Sequence, residues 1–334
     1  MKNLIYQFYH NLENEEQAEP EILLQEYGPD VKSISDIYND IVLVSQESFS
    51  KYADLIGAEY VLDTDHSYTR KWMQHNFAVN YEWLKIIFDP KYDVYDKICV
   101  VDIDMVANTT QDIFKASNAD YYGVSESDWH VSRNKRALPD EQSLPPSWDQ
   151  SVDVLTEYVE KYAKHGIQLR HLHKGQNGSR VDSGRLHFQG GLNVFTRNGR
   201  LKAREQFISW REWLYEGNLS RNKSKRMNPL NYDECYISAN IVDSTIDWEI
   251  IDPSWMDIPT FYLDEYVPQE TKRIKFPHFC WGGFNKRIML SMAHEGEFDL
   301  VTKYKDHPNR KIPHLFWKNR MVVQTRKDAR ESFE

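Results

Sequence analysis

Asp102-Ile103-Asp104 sets two carboxylates at alternate positions directly after four apolar residues, 98–101 (ICVV). In an extended chain, alternate side chains share a side. The pair would then offer two hard oxygen ligands of the kind that hold Mg²⁺ or Mn²⁺. Asp63-Thr64-Asp65 has the same spacing, but it opens a polar stretch instead of closing a buried one. Position, and not spacing, singles out Asp102 and Asp104.

His278 lies far along the chain, in FPHFCWGGFNK, and is the best-placed third ligand; a loop histidine bonded only to backbone is the alternative. Nearby, Gly282 and Gly283 can let the backbone approach a ligand closely, and Lys286 adds a flexible cation suited to phosphate. Arg70 and Lys71 begin a helix-like stretch. Basic charge at a helix start favours an anion, and a solvated helix face is the alternative. Gln189-Gly190-Gly191 places an uncharged amide beside exposed backbone, able to bond sugar hydroxyls, or else marks a strand bulge. Asp182, Asp233 and Glu234 are further carboxylates that could take a proton from, or orient, a hydroxyl acceptor. Trp129, Trp148, Trp210, Trp213, Trp255 and Trp281 could stack on a sugar or a base, packing being the ordinary use of such residues.

The elements that must position these groups begin with short apolar runs. Residues 4–9 (LIYQFY), 41–44 (IVLV), 59–62 and 98–101 read as strands, and continuous apolar runs are those of strands buried on both faces. Between the third and fourth, Met73, Phe77, Tyr81, Leu84 and Phe88 recur at steps of four and three, which predicts a helix ended by Asp89-Pro90. Strand, helix, strand implies a parallel crossover, and hence an open α/β sheet that binds ligands at the carboxyl ends of its strands. Residues 126–184 turn polar and rich in Gly and His and read as an insertion or lid. A strand pattern returns at 186–195. The expected organisation is a nucleotide-binding α/β half over 1–125, the insertion over 126–184, an acceptor and metal-completing half over 185–300, and a basic tail over 301–334.

Composition bounds what such a chain can do. Its 334 residues are 40% hydrophobic, with 20 Tyr, 15 Phe and 10 Trp, far too much buriable surface for a disordered or collagen-like chain. A formal charge of -10 argues against a protein that coats nucleic acid. Three cysteines are too few for a disulfide framework or a Cys-rich zinc site. There is no signal-peptide pattern and no apolar run long enough to span a membrane. The expectation is a cytoplasmic chain without a membrane span and without nucleic acid among its partners.

The string YDKICVVDIDMVANTTQDIF, residues 95–114, resembles the strand, Asp-x-Asp and following helix of metal-dependent GT-A glycosyltransferases. It is most similar to the glycogenin-like family, family eight of that class. Residues 4–9, Arg70, residues 188–193 (FQGGLN), Asp233-Glu234 and the stretch from His278 to Lys286 follow in the family's order. Together they cover about residues 3–290. Two departures stand out. The late motif runs from His278 to glycines at plus four and plus five and to lysine at plus eight, and Glu234 stands where the family carries Gln.

The resemblance implies a Rossmann-like, mostly parallel sheet flanked by helices. It implies transfer of a sugar, from a nucleotide-diphosphate donor such as a UDP-hexose, to a carbohydrate or other hydroxyl acceptor. Mn²⁺ or Mg²⁺ on Asp102, Asp104 and His278 would neutralise the leaving diphosphate, with Lys286 and Arg70 adding charge. Tyr6, Gln7, Phe8, Ile103, Gly282 and Gly283 would meet the nucleotide. Retention of configuration is implied, with Gln189 facing the reaction centre and Asp233, Asp182 or Glu234 toward the acceptor. A bound cation would also let an acidic protein hold an anionic donor. A metal-dependent nucleotidyltransferase is an alternative, although residues 6–10 (YQFYH) lack the glycines of a phosphate loop. A non-catalytic carbohydrate-binding protein is another.

Overall fold

The computed structural model describes residues 1–10, 34–69, 78–125, 188–213, 233–257, 273–280 and 282–304. Strands β1 (Asn3–Phe8), β2 (Glu59–Asp63), β3 (Lys97–Val101), β4 (Tyr121–Ser125), β5 (Phe188–Thr196) and β6 (Trp248–Ile250) form one sheet in the order β2-β1-β3-β5-β4-β6. It is mostly parallel and flanked by helices, the expected fold class. β4 runs antiparallel to β5 and parallel to β6. The runs at 4–9, 59–62, 98–101 and 186–195 all contribute strands. All four residues of ICVV are buried, as a strand covered on both faces requires.

The run at 41–44 is not a strand. It lies within α1 (Ile34–Ile56), where Ile41, Val44, Ser45, Ser48, Phe49 and Tyr52 are buried and Leu43 is exposed. That spacing of three and four is a helix face. Four consecutive apolar residues cannot by themselves separate strand from buried helix, and α1 continues without a Gly or Pro until Gly57. There the chain turns left-handed, at φ 69°, and Ala58 N–H reaches back to Ala53 O at 2.9 Å, a glycine stop of the Schellman kind.

Of the helix expected over residues 73–88, Met73 and Phe77 lie outside the described residues. Ala78–Leu84 is a 3₁₀ segment running into α2 (Lys85–Phe88). Burial here is all round, and includes Glu82 and Lys85. These two satisfy each other at 3.0 Å, while Glu82 also accepts the N–H groups of Tyr68 and Thr69 and the Thr69 hydroxyl. The segment ends at Asp89, which is extended before Pro90, and the Asp89 carboxylate accepts from Lys91 N–H.

The chain forms two compact units. One takes Met1–Leu4, Asp65–Val100 and Ile113–Pro253, and includes α3 (Arg197–Gln206) and α4 (Asp233–Asp243). Its interior holds a buried Arg200 whose guanidinium donates to the carbonyls of Tyr92, Tyr95 and Phe195. The other takes Ile5–Thr64, Val101–Asp112 and Ser254–Glu334. It includes the parallel pair β7 (Met256–Asp257) and β8 (Phe276–Pro277), and α5 (Gly282–Glu295). In this second unit Ile41 and Val44 of α1, Val106, Phe279, and Ile288, Met289 and Met292 of α5 form one apolar cluster. Phe276 meets Phe49, Tyr52 and Trp255 edge to face. That packing fixes the residues on either side of the polar groups described next.

Candidate metal centre

β1 and β3 are neighbours, yet the chain leaves β1 toward β2 on one side and β3 toward strands on the other. Asp102 follows the last residue of β3. The chain does not stay extended there: it turns at Ile103 and Asp104, then bridges at Met105. Alternation along a strand is therefore not what gathers the carboxylates. A backbone ladder does so. Met105 pairs antiparallel with His278, Phe279 N–H donates to Asp104 O at 2.8 Å, Val106 N–H donates to Pro277 O at 3.2 Å, and His278 N–H donates to Asp257 O at 3.0 Å. β7, β8 and the aspartate loop thus lie side by side, and a histidine 174 residues along the chain meets the acids.

His278 Nε2 lies 3.1 Å from Asp104 Oδ1 and 3.4 Å from Asp102 Oδ2. The three donor atoms all fall within 4.8 Å of one another. Adjacent ligands of an octahedral ion bound at roughly 2.1 Å stand about 3 Å apart, so the residues fit a small divalent cation. The site is graded in depth: the side chain of His278 is 3% exposed, that of Asp104 13% and that of Asp102 49%. Two carboxylates and one imidazole would not fill the coordination of such an ion, a donor set suited to an ion shared with substrate phosphates. Among the described residues this is the one group of three such side chains. Asp63 and Asp65 do other work: Asp63 Oδ2 accepts from Tyr6 OH at 2.9 Å, and Asp65 caps Ser67.

Charge is balanced within the cluster. Lys286, on α5 and buried, lies 3.1 Å from Asp104 Oδ2 and over the ring of Tyr38. Burial alone would push the Asp104 carboxyl up, but the Lys286 charge and then His278 hold it well below the usual carboxylate range. Burial likewise disfavours the charged imidazole, yet Asp104 and then the Asp102 contact raise the His278 pKa to about 10. Without a metal, the two carboxylates favour the protonated form of His278. Among the described residues its buried Nδ1 has no hydrogen-bond partner, and the ring's polar contacts go to the acids.

The remaining expected residues divide as follows. Tyr6 and Gln7 are fully buried on β1, and Phe8 is half-buried at its end. Ile103 is half-buried in the turn, and Gly282 and Gly283 open α5. Arg70 and Asp182 lie outside the described residues, as do Trp129, Trp148 and Trp281. In the other unit, Gln189, Asp233 and Glu234 come together around a bulge: Gly123 pairs with Asn193 and Ser125 with Phe188, so several residues of β5 oppose one of β4. Gln189 Oε1 accepts Gly191 N–H at 2.7 Å, and Glu234 Oε1 accepts Gly190 N–H at 3.2 Å. A Cβ on Gly190 would stand 2.5 Å from Glu234 Cγ, so the close approach requires glycine. Asp233 Oδ2 accepts Trp83 Nε1–H at 2.5 Å. Trp210 and Trp213 are core residues against Tyr81 and Tyr236.

Four residues not among the expected site groups also belong to this region: Ser45 and Ser48 bond the aspartate loop, Tyr38 lies under Lys286, and Tyr60 bonds Gln7. The signal available was the presence of serines on the apolar face of α1, visible once that segment is read as a helix.

No family model matches the sequence, and no curated protein matches it. Solved structures do. One is a glycosyltransferase involved in the glycosylation of the major capsid of PBCV-1, at 10% identity and TM-score 0.41, covering 86% of this chain and 98% of that one. Another is the galactosyltransferase LgtC, solved with donor and acceptor sugar analogues, at 10% identity and TM-score 0.38, covering 83% of this chain and 87% of that one. A third is mouse xyloside xylosyltransferase 1, at 8% identity and TM-score 0.40, covering 83% of this chain and 97% of that one.

Proposed function

We propose that this chain is a glycosyltransferase that moves a sugar, with retention, from a nucleotide-diphosphate donor, a UDP-hexose, to a carbohydrate or other hydroxyl acceptor. The observation that carries this reading is the convergence of Asp102, Asp104 and His278 at the switch point of an open α/β sheet, with the cation of Lys286 against Asp104. A site with two acids and one imidazole suits a cation that is shared with a diphosphate.

Asp102, Asp104 and His278 would hold Mn²⁺ or Mg²⁺, which supplies Lewis-acid stabilisation of the departing diphosphate. Lys286, already placed beside the acids, adds positive charge where negative charge develops. Arg70, with Tyr6, Phe8, Ile103, Gly282 and Gly283, is proposed for the nucleotide side. Gln189 is proposed to face the sugar. With its carbonyl oxygen taken by Gly191 N–H, its amide NH₂ is the end that would donate to a sugar oxygen. Asp233, Glu234 and Asp182 are proposed for the acceptor. A cytoplasmic location is part of the reading, in keeping with the buried free thiol of Cys99. No helix among the described residues is long and apolar enough to cross a membrane.

The test is a thermal-shift screen of UDP, GDP, CMP and their sugars, each with Mn²⁺ or with chelator, alongside slow donor hydrolysis. Metal-dependent stabilisation by one nucleotide, with release of its sugar, is expected. Stabilisation by none would turn the reading toward a binding protein, and cleavage of a diphosphate donor to nucleoside monophosphate and sugar 1-phosphate, in place of nucleoside diphosphate and sugar, would turn it toward a nucleotidyltransferase.

A further inference from the structure

Gln7 interrupts an apolar strand and is fully buried. A buried amide is costly unless its groups are bonded, and here both ends are. Its Nε2 donates to Ser45 Oγ at 2.8 Å and to the carbonyl of Asp102 at 3.0 Å, and its Oε1 accepts from Tyr60 OH at 2.7 Å. Both amide hydrogens are thereby spent, so none is left for a ligand. The chain of bonds continues: Ser45 Oγ donates to Met105 O at 2.7 Å, and Ser48 Oγ accepts Ala107 N–H at 3.1 Å.

The aspartate loop is therefore held along both edges. Backbone groups of Pro277 and Phe279 bond one edge, and the side chains of Gln7, Ser45 and Ser48 bond the other. The two acids depend on this unequally. The Asp104 carboxylate is fixed directly by His278 and Lys286. The Asp102 side chain is half exposed and meets His278 at 3.4 Å, so its aim follows from the peptide to which it is attached. Gln7 bonds that peptide's carbonyl.

We infer that Gln7, with Ser45, is a positioning residue for the metal loop, setting the peptide plane at Asp102 and through it the aim of the Asp102 carboxylate. This rests on the proposal that Asp102, Asp104 and His278 bind a divalent cation, and it replaces the expectation that Gln7 touches the nucleotide. Partners that orient metal ligands are typically worth about 10- to 100-fold in metal affinity.

The test measures Mn²⁺ binding to the full chain without nucleotide, by the electron paramagnetic resonance signal of free Mn²⁺. Gln7→Met removes both donors at similar volume, and Ser45→Ala removes the partner. Ile5→Val, a buried truncation on the same strand, serves as a control for lost stability. Gln7→Met is expected to weaken Mn²⁺ binding about 10- to 100-fold, Ser45→Ala to weaken it less, and Ile5→Val to leave it unchanged. Because the two residues share one network, the double variant should lose less than the product of the single effects. If Gln7→Met does not fold, Ser45→Ala against Ile5→Val carries the same test. Affinity within twofold of wild type in both Gln7→Met and Ser45→Ala overturns the inference alone, as does an equal loss in Ile5→Val. Weakened uridine binding with unchanged Mn²⁺ affinity would place Gln7 at the nucleotide instead. Should the wild-type chain bind no Mn²⁺, or Asp104→Ala bind it normally, the metal reading falls and this inference falls with it.

Discussion

Mn²⁺ binding should tighten steeply with pH, because the metal must displace a proton from His278. Burial opposes the imidazolium, but Asp104 and Asp102 raise its pKa from 6.5 to about 10. A coordinated imidazole must be unprotonated. At pH 7 the metal therefore works against about three pK units, a penalty on the order of 4 kcal/mol, or about a thousandfold in apparent affinity. Across pH 6 to 8.5, log Kd should fall by about one for each unit of pH, with one proton released per ion. Asp104 adds no slope in this range, since Lys286 and His278 keep it ionised. The sign for stability runs the other way. A group whose pKa is raised on folding stabilises the metal-free chain fully below the unfolded value of 6.5, and that contribution is lost as pH climbs toward about 10. Isothermal titration of Mn²⁺ in buffers of different ionisation enthalpy counts the proton directly. A pH-independent Kd over this range, with no proton released, would refute the assignment of His278 as a protonated ligand in waiting.

Asp104→Ala should abolish Mn²⁺ binding and, by leaving His278 and Lys286 buried without their acid, cost about 3–5 kcal/mol in stability; denaturant melts and calorimetry check both. Lys286→Met should weaken UDP binding more than uridine binding, a split that equilibrium titration reads; equal losses would remove Lys286 from the diphosphate. Gly190→Ala should cost about 1–3 kcal/mol by driving a Cβ into Glu234. Most of that should return in the double variant with Glu234→Ala, and a failure to recover would mean that the clash is not the cause.

What the sequence could reveal depended on whether the cause was local. β3 was legible because four apolar residues lie between the charged pair Asp96-Lys97 and Asp102, so the run is bounded by polar residues at both ends and is too short for a buried helix. α1 was misread at 41–44 because the run is apolar on its own, and its helical face appears only when Ser45, Ser48 and Tyr52 are counted with it. The residue types of the metal cluster were legible, but the mechanism that assembles them was not. A turn at Ile103-Asp104 and an antiparallel bridge from Met105 to His278 are long-range pairings that no local spacing encodes. Gln7 is grouped with the nucleotide contacts because the resemblance sets the whole first strand against the nucleotide. Its three internal hydrogen bonds come from α1, β2 and the loop after β3, segments distant in sequence.

The most direct measurement is a crystal soaked in Mn²⁺ and recorded at the manganese absorption edge. An anomalous peak about 2.1–2.2 Å from carboxylate oxygens of Asp102 and Asp104 and from His278 Nε2 is expected. A peak elsewhere, or His278 Nε2 still hydrogen-bonded to both carboxylates with no peak between them at saturating Mn²⁺, would contradict the account.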